Sequence, residues 1–307
     1  MNIALGTIPF GTTVGLRETF AILDRFHDAG GTMLDTANNY PFWDEGRTGD
    51  ESEEAVGAWL AARGHRDRIF IGTKGGARPT VPGDRTLDSA EGLSAAAVAR
   101  AAEGSLRRLR TDYIDLYWSH IEDRSVPLAE TLGALNTLAE QGKVRALGAS
   151  NIAAWRLERA RNVSAARGWL PYTQVQLRHT YLRPRPFTRL AEGGHMLASD
   201  ETLDYLAAEP DLTLWAYNTL MSGAYTRADR PMPEIYDHPG TARRLATLRE
   251  VAGELGATPN QVVLAWLTAG GHVPVVGVST TAQLDEVVAA ADVKLDPELR
   301  ARLDAVA

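Results

Sequence analysis

The chain has 307 residues, a net charge of -7, 44% hydrophobic and 23% charged residues, a composition that supplies ample apolar material for a folded core and argues against a protein that coats nucleic acid. It contains no cysteine, which excludes disulfides, thiolate nucleophiles and cysteine-ligated zinc or iron–sulfur centres. There is no signal-like start and no apolar run long enough to span a bilayer, so the expectation is a cytoplasmic protein with no membrane partner.

Short β-branched runs alternate with longer amphipathic stretches, and Gly, Pro, Asp or Asn marks each switch. Strands are expected at 3–8 (IALGTI), 32–37 (TMLDTA), 68–74 (RIFIGTK), 113–120 (YIDLYWSH), 145–150 (RALGAS), 172–177 (YTQVQL), 212–217 (LTLWAY) and 272–278 (HVPVVGV). Helices are expected at 16–30, 51–64, 93–110, 128–142, 153–168, 199–209, 240–256 and 260–270. Strand–helix–strand repetition favours parallel neighbours, and eight strands close a barrel. The fold expected over residues 1–307 is therefore one α/β domain, a (β/α)8 TIM barrel with its active site at the C-terminal ends of the strands. The long connections at 41–50, 76–92, 179–197 and 218–240 all follow strands, the side on which such barrels build their sites. A doubly wound sheet is the competing architecture, but GTIPFGTTVG (6–15) lacks the G-x-G-x-x-G spacing that fold uses.

Period-2 alternation in TMLDTA puts Met33 and Asp35 on one face. Lys74 ends RIFIGTK, His120 ends YIDLYWSH, and Tyr40 lies in the loop after Asp35. Singly, each has an ordinary explanation as a cap, a packed ring or a solvated charge. Together at one rim they form a proton-donating device: Tyr40 as acid, Lys74 as the charge that tunes it, Asp35 as the partner of Lys74, and His120 as a donor to a carbonyl oxygen. Such a device stabilises a forming alkoxide and needs a hydride donor that no side chain supplies, for which a nicotinamide is the simplest source.

With DTANNY, FIGTK, DYIDLYWSH, GKVRALGASN, QVQL, WAYNTLMSG and VVGVSTTAQLDE in this order, the sequence resembles the aldo-keto reductases over nearly its whole length. The resemblance implies reversible reduction of a small-molecule aldehyde or ketone to an alcohol with NADP(H), NAD(H) being the alternative. It implies a catalytic tetrad of Asp35, Tyr40, Lys74 and His120. It places Ser150, Asn151 and Gln174 on the nicotinamide carboxamide, Tyr217 on the nicotinamide face, Asn218, Leu220 and Ser222 along the pyrophosphate, and Thr7 beneath the ribose. Ser279, Thr280, Gln283 and Glu286 fall on the adenosine end. Gln283 stands where NADPH-preferring members often carry Arg, and an amide cannot neutralise a 2′-phosphate as a guanidinium does. Many relatives also begin with a hairpin beneath the barrel, whereas MNIALGT enters the first strand directly.

Two other functions compete. Barrels of this family also serve as redox-sensing regulatory subunits of potassium channels, but nothing in the sequence marks a channel-docking surface. A metal-dependent hydrolase would need clustered ligands, and the histidines at 27, 65, 120, 179, 195, 238 and 272 are scattered, so no metal is expected. Candidate pocket residues are Ile8, Phe10, Trp43 and Trp118 with the loops 179–197 and 218–238. The sequence leaves substrate and oligomeric state open.

Overall fold

A computed structural model describes residues 1–188, 190 and 193–306. Eight parallel strands close in sequence order: β1 (Ala4–Gly6), β2 (Met33–Asp35), β3 (Phe70–Gly75), β4 (Ile114–Ser119), β5 (Val144–Ser150), β6 (Tyr172–Arg178), β7 (Thr213–Tyr217) and β8 (Val273–Gly277). Around them lie α1 (Leu16–Asp28), α2 (Glu51–Arg63), α3 (Ala95–Leu109), α4 (Leu128–Glu140), α5 (Ala154–Arg167), α6 (Asp200–Ala208), α7 (Pro239–Leu255), α8 (Pro259–Ala269), α9 (Thr281–Ala289) and α10 (Pro297–Asp304). This is the expected (β/α)8 barrel. The helices α9 and α10 come in addition to the eight expected ones; they are short, and each is started by a side-chain cap, Thr280 and Asp296, rather than by a long apolar stripe.

Capping also fixes the helix before the last strand. Thr258 Oγ1 accepts from the Gln261 amide at 3.2 Å, the Gln261 side chain accepts from the Thr258 N–H at 2.9 Å, and Pro259 needs no partner for its nitrogen.

Strand alternation divides the apolar residues. Ala4, Leu116, Trp118, Trp215, Val273 and Val275 fill the barrel interior, while the opposite faces, such as Leu5, Leu34 and Ile71, pack outward against α1 and α2. Two candidate pocket residues are placed differently from expectation. Phe10 is completely buried in the outer layer with Ile22, Val56 and Trp59, because the turn after β1 folds back under α1. Trp118 is also completely buried, stacked edge-on to Trp215 at 5.5 Å, and its ring lies so close to Gly148 that a Cβ there would stand 2.2 Å away. It forms the floor beneath the rim instead of a pocket wall.

Candidate active site

The alternation that sends Leu34 outward sends Asp35 inward, where the neighbouring strand supplies its partner. Lys74 Nζ donates to Asp35 Oδ2 and to the Thr36 carbonyl, both at 2.7 Å, and no part of the lysine reaches solvent. The same ammonium lies 4.8 Å from the centre of the Tyr40 ring. The His120 ring meets Tyr40 edge-on at 5.7 Å, and its strand is held by the bond from the His120 N–H to the Gly75 carbonyl at 2.9 Å. The four residues proposed from scattered segments are therefore neighbours.

Burial and charge set their protonation. Burial is the larger influence on Lys74 and disfavours its charge, but Asp35 and Tyr40 together overcome it, so the ammonium titrates above its ordinary value. For Tyr40 burial wins: it raises the phenol's pKa, with Lys74 pulling against it. The hydroxyl is thus protonated at neutral pH, a donor rather than a phenolate. Burial, then the charge of Lys74, push His120 well below the ordinary imidazole value, leaving it neutral. Its Nδ1 is buried without a partner among the described residues.

The two asparagines of DTANNY brace the Tyr40 loop. Asn38 Nδ2 donates to Glu91 Oε1 at 2.7 Å and Asn39 Nδ2 to the Ala77 carbonyl at 3.1 Å, tying the loop after β2 to the loop after β3. Behind Lys74, Thr73 donates to Glu53 at 2.5 Å, Glu53 accepts from Arg108 at 2.7 Å, and Asp50 joins Arg108 to Arg78. Nothing in the local sequence announces these supports, since their members lie far apart in the chain.

On the other side of the rim, Ser150 and Asn151 end β5 and are almost wholly buried. The glutamine beside them is Gln176, not Gln174. Register pairs Ser150 with Gln176, whose Nε2 donates to Asp35 Oδ1 at 3.0 Å. Gln174 sits one inward position deeper, paired with Gly148, and its Oε1 accepts from the Trp215 indole at 2.8 Å. Both glutamines of TQVQL share one parity, so alternation does not separate them; the height of the strand in the barrel does. Thr7 is completely buried, its hydroxyl bonded to Ser52 and to the Asp35 carbonyl, so only its backbone borders the rim.

Tyr217 ends β7 opposite Arg178. Asn218 and Ser222, in the turn that follows, both have left-handed backbones, and Leu220 packs down between the core layers. At the start of α9, Thr280 caps the Gln283 N–H at 3.2 Å and the Gln283 side chain accepts from Ser279 N–H at 2.7 Å, while Glu286 Oε1 accepts from Thr258 and Asn260. β1 and β8 end side by side at Gly6 and Gly277. Gly277 is exposed, and a Cβ there would meet a single atom within 4 Å, the Gly6 carbonyl oxygen, whereas a Cβ at the buried Gly6 would stand 3.3 Å from Val275. Ile8 and Trp43 are 42% and 38% exposed, and the Trp43 ring lies 5.9 Å from that of Tyr40. In the pocket loop expected at 179–197, Arg189, Ala191 and Glu192 lie outside the described residues. Among the described residues no helix is long and apolar enough to cross a membrane.

A parallel barrel whose strand ends gather a protonated phenol, a sealed lysine–aspartate pair and a neutral imidazole has the form of a barrel oxidoreductase. The chain belongs to the aldo/keto reductase family, whose family model matches residues 2–307. It is 32% identical to the uncharacterized oxidoreductase YrpG of Bacillus subtilis (strain 168), covering 97% of this chain and 89% of that protein. It is 30% identical to the norsolorinic acid reductase stcV of Emericella nidulans, over 96% of this chain and 75% of the relative. Among solved structures, the thermostable aldo-keto reductase Tm1743 in complex with the inhibitor epalrestat matches with a TM-score of 0.78 at 26% identity, covering all of this chain and 95% of that one. The protein is thus an oxidoreductase of a carbonyl-reducing family.

Proposed function

We propose that the protein reduces a small-molecule aldehyde or ketone with NADP(H), taking the proton from Tyr40. The observation that carries this reading is the sealed Lys74 ammonium, shared between Asp35 at 2.7 Å and the face of Tyr40 at 4.8 Å, with the neutral His120 ring on the same phenol. A nicotinamide, when bound, supplies the hydride. The remaining work belongs to the chain.

Tyr40 and His120 present O–H and N–H donors to the substrate oxygen, and as negative charge develops there the Tyr40 proton transfers to it. Lys74 lowers the cost of the phenolate left behind, and Asp35 keeps that lysine charged. Ser150, Asn151 and Gln176 offer amide and hydroxyl partners for a carboxamide, and Tyr217 a ring for the pyridine face. Asn218, Leu220 and Ser222 border the course of a pyrophosphate past the exposed Gly277, with Thr7 at its foot. Ser279 and Thr280 stand at the positive end of α9, where a 2′-phosphate is favoured. With Gln283 in place of a cation, that preference rests on the helix terminus and hydroxyls, and NAD(H) is the alternative.

The test is NADPH oxidation with 4-nitrobenzaldehyde and a wider carbonyl panel, followed at the nicotinamide absorbance band. Carbonyl-dependent loss of absorbance with formation of the alcohol is expected. Cofactor binding without turnover across the panel would refute the reading.

A further inference from the structure

Asn151 occupies a left-handed position (φ 53°) just beyond β5. Its amide offers two donor and two acceptor positions, and all four are used. Nδ2 donates to the His120 carbonyl at 3.2 Å and to Ser150 Oγ at 3.0 Å, while Oδ1 accepts from the Met196 N–H at 3.0 Å and from the Tyr217 hydroxyl at 2.9 Å. A carboxamide can therefore donate to Asn151 only by replacing a partner of Oδ1.

The two partners differ in freedom. Met196 is pinned through its backbone, because Arg178 N–H donates to the Met196 carbonyl and Ala198 N–H donates to the Arg178 carbonyl, each at 3.0 Å. Tyr217 reaches Asn151 through a side chain that turns about two torsions. Its single proton is spent on Asn151, so the 2.9 Å contact between the Tyr217 oxygen and His195 Nδ1 is a bond donated by the imidazole, and the Arg178 side chain donates to the same oxygen. His195 and Met196 belong to one stretch of the loop after β6, so that stretch holds both groups lying on Oδ1.

We propose that in the cofactor-free protein the Tyr217 hydroxyl occupies the Asn151 acceptor position that a nicotinamide carboxamide takes, and that His195 is a positioning residue holding the phenol there. The proposal rests on the nicotinamide reading of the rim. On binding, a carboxamide N–H replaces the phenol O–H on Asn151 Oδ1. The displaced hydroxyl keeps its bond from His195, which leaves the Tyr217 ring beside the incoming pyridine with its oxygen satisfied. The exchange costs one neutral hydrogen bond, that of the Tyr217 O–H to Asn151.

Two variants separate this latch from simple ring stacking. Tyr217→Phe keeps the ring and removes the competing hydroxyl; His195→Leu removes one of the two side-chain donors that hold it, leaving Arg178. Affinities are measured by quenching of tryptophan fluorescence for NADP+ and for 2′-phospho-ADP-ribose, which lacks the pyridine carboxamide, with NAD+ and ADP-ribose as a second pair. Tyr217→Phe is expected to bind the nicotinamide member of the pair about two- to tenfold more tightly, the worth of one neutral hydrogen bond, with no change for the truncated member. His195→Leu shifts the same ratio in the same direction by less. Weaker nicotinamide binding in Tyr217→Phe, or an equal change for both members of a pair, overturns the latch. If Tyr217→Phe fails to fold by circular dichroism, an unaltered ratio in His195→Leu overturns it alone. Truncated and whole cofactors both failing to bind the wild-type protein would instead remove the cofactor reading, and the latch with it.

Discussion

Asp35→Asn keeps the shape of the side chain and deletes one charge from the most enclosed ion pair of the rim. The lysine side chain is 0% and the aspartate side chain 3% exposed at a separation of 2.7 Å. Burial is the strongest influence on Lys74 and opposes its charge; Asp35 is the first of the groups that offset it. Without the carboxylate's charge, the enclosed ammonium has only neutral partners, the Thr36 carbonyl, the Tyr40 phenol and the new amide oxygen, and breaking such a buried pair costs roughly 3–5 kcal/mol. Urea denaturation at pH 7 should show a loss of this size for Asp35→Asn, and the double variant Asp35→Asn/Lys74→Met should recover most of it, since an apolar replacement of the whole pair is often close to neutral. The pH dependence has a definite sign. In the wild type the folded ammonium titrates above its ordinary 10.5, so the stability it carries is complete below that pH and is lost only as the pH rises through the raised value. In Asp35→Asn the folded value falls below 10.5, the unfolded chain binds the extra proton, and the deficit should shrink as the pH rises from 7 to 9. A deficit under about 1 kcal/mol, against the expected cost of a broken buried pair, or a double variant no more stable than the single one, would refute the argument.

Three further outcomes are expected. Tyr40→Phe should lower kcat by roughly 10²–10⁴, the range of a lost general acid, with NADP+ affinity by fluorescence titration unchanged; lost binding with activity intact would contradict the proton-donor role. His120 is held neutral by burial and by Lys74, and burial likewise lowers His272 and takes His179 down to about 3. Each depressed imidazole gives stability that is full above the unfolded value near 6.5 and declines as the pH falls below it; His120→Gln should flatten the urea-midpoint profile between pH 6.5 and 5 by about 1.4 kcal/mol per pH unit. Gln283→Arg should raise the NADPH-over-NADH ratio of kcat/KM by about tenfold or more, the value of a charge-assisted bond to phosphate, measured with both cofactors against one aldehyde.

The barrel and the gathering of Asp35, Tyr40, Lys74 and His120 at one rim were legible because the signals they rest on are local. A β-branched run ending in Asp, Lys or His states both a strand and a rim position, and three such runs in TMLDTA, RIFIGTK and YIDLYWSH converge once the strands are parallel. The choice between Gln174 and Gln176 was not legible, since it depends on how far β6 is slid against β5, where the register shifts at Leu147/Gly148. Phe10 and Trp118 were misplaced for a related reason: an aromatic near a strand end fits a pocket, a floor or an outer layer equally well, and only the path of the backbone decides. The roles of Asn38 and Asn39 emerged from partners at Glu91 and Ala77, and those of His195 and Arg178 from a loop that doubles back on β6.

The central claim is a hydride passed from a nicotinamide to a carbonyl carbon with Tyr40 supplying the proton. It is tested most directly by reacting 4-nitrobenzaldehyde with NADPH carrying deuterium on the transferred face of C4 and analysing the product by NMR. The wild type is expected to give 4-nitrobenzyl alcohol with one deuterium at the benzylic carbon, and Tyr40→Phe almost none of that alcohol. Benzylic carbon free of deuterium, or labelled alcohol formed equally well by Tyr40→Phe, would contradict it.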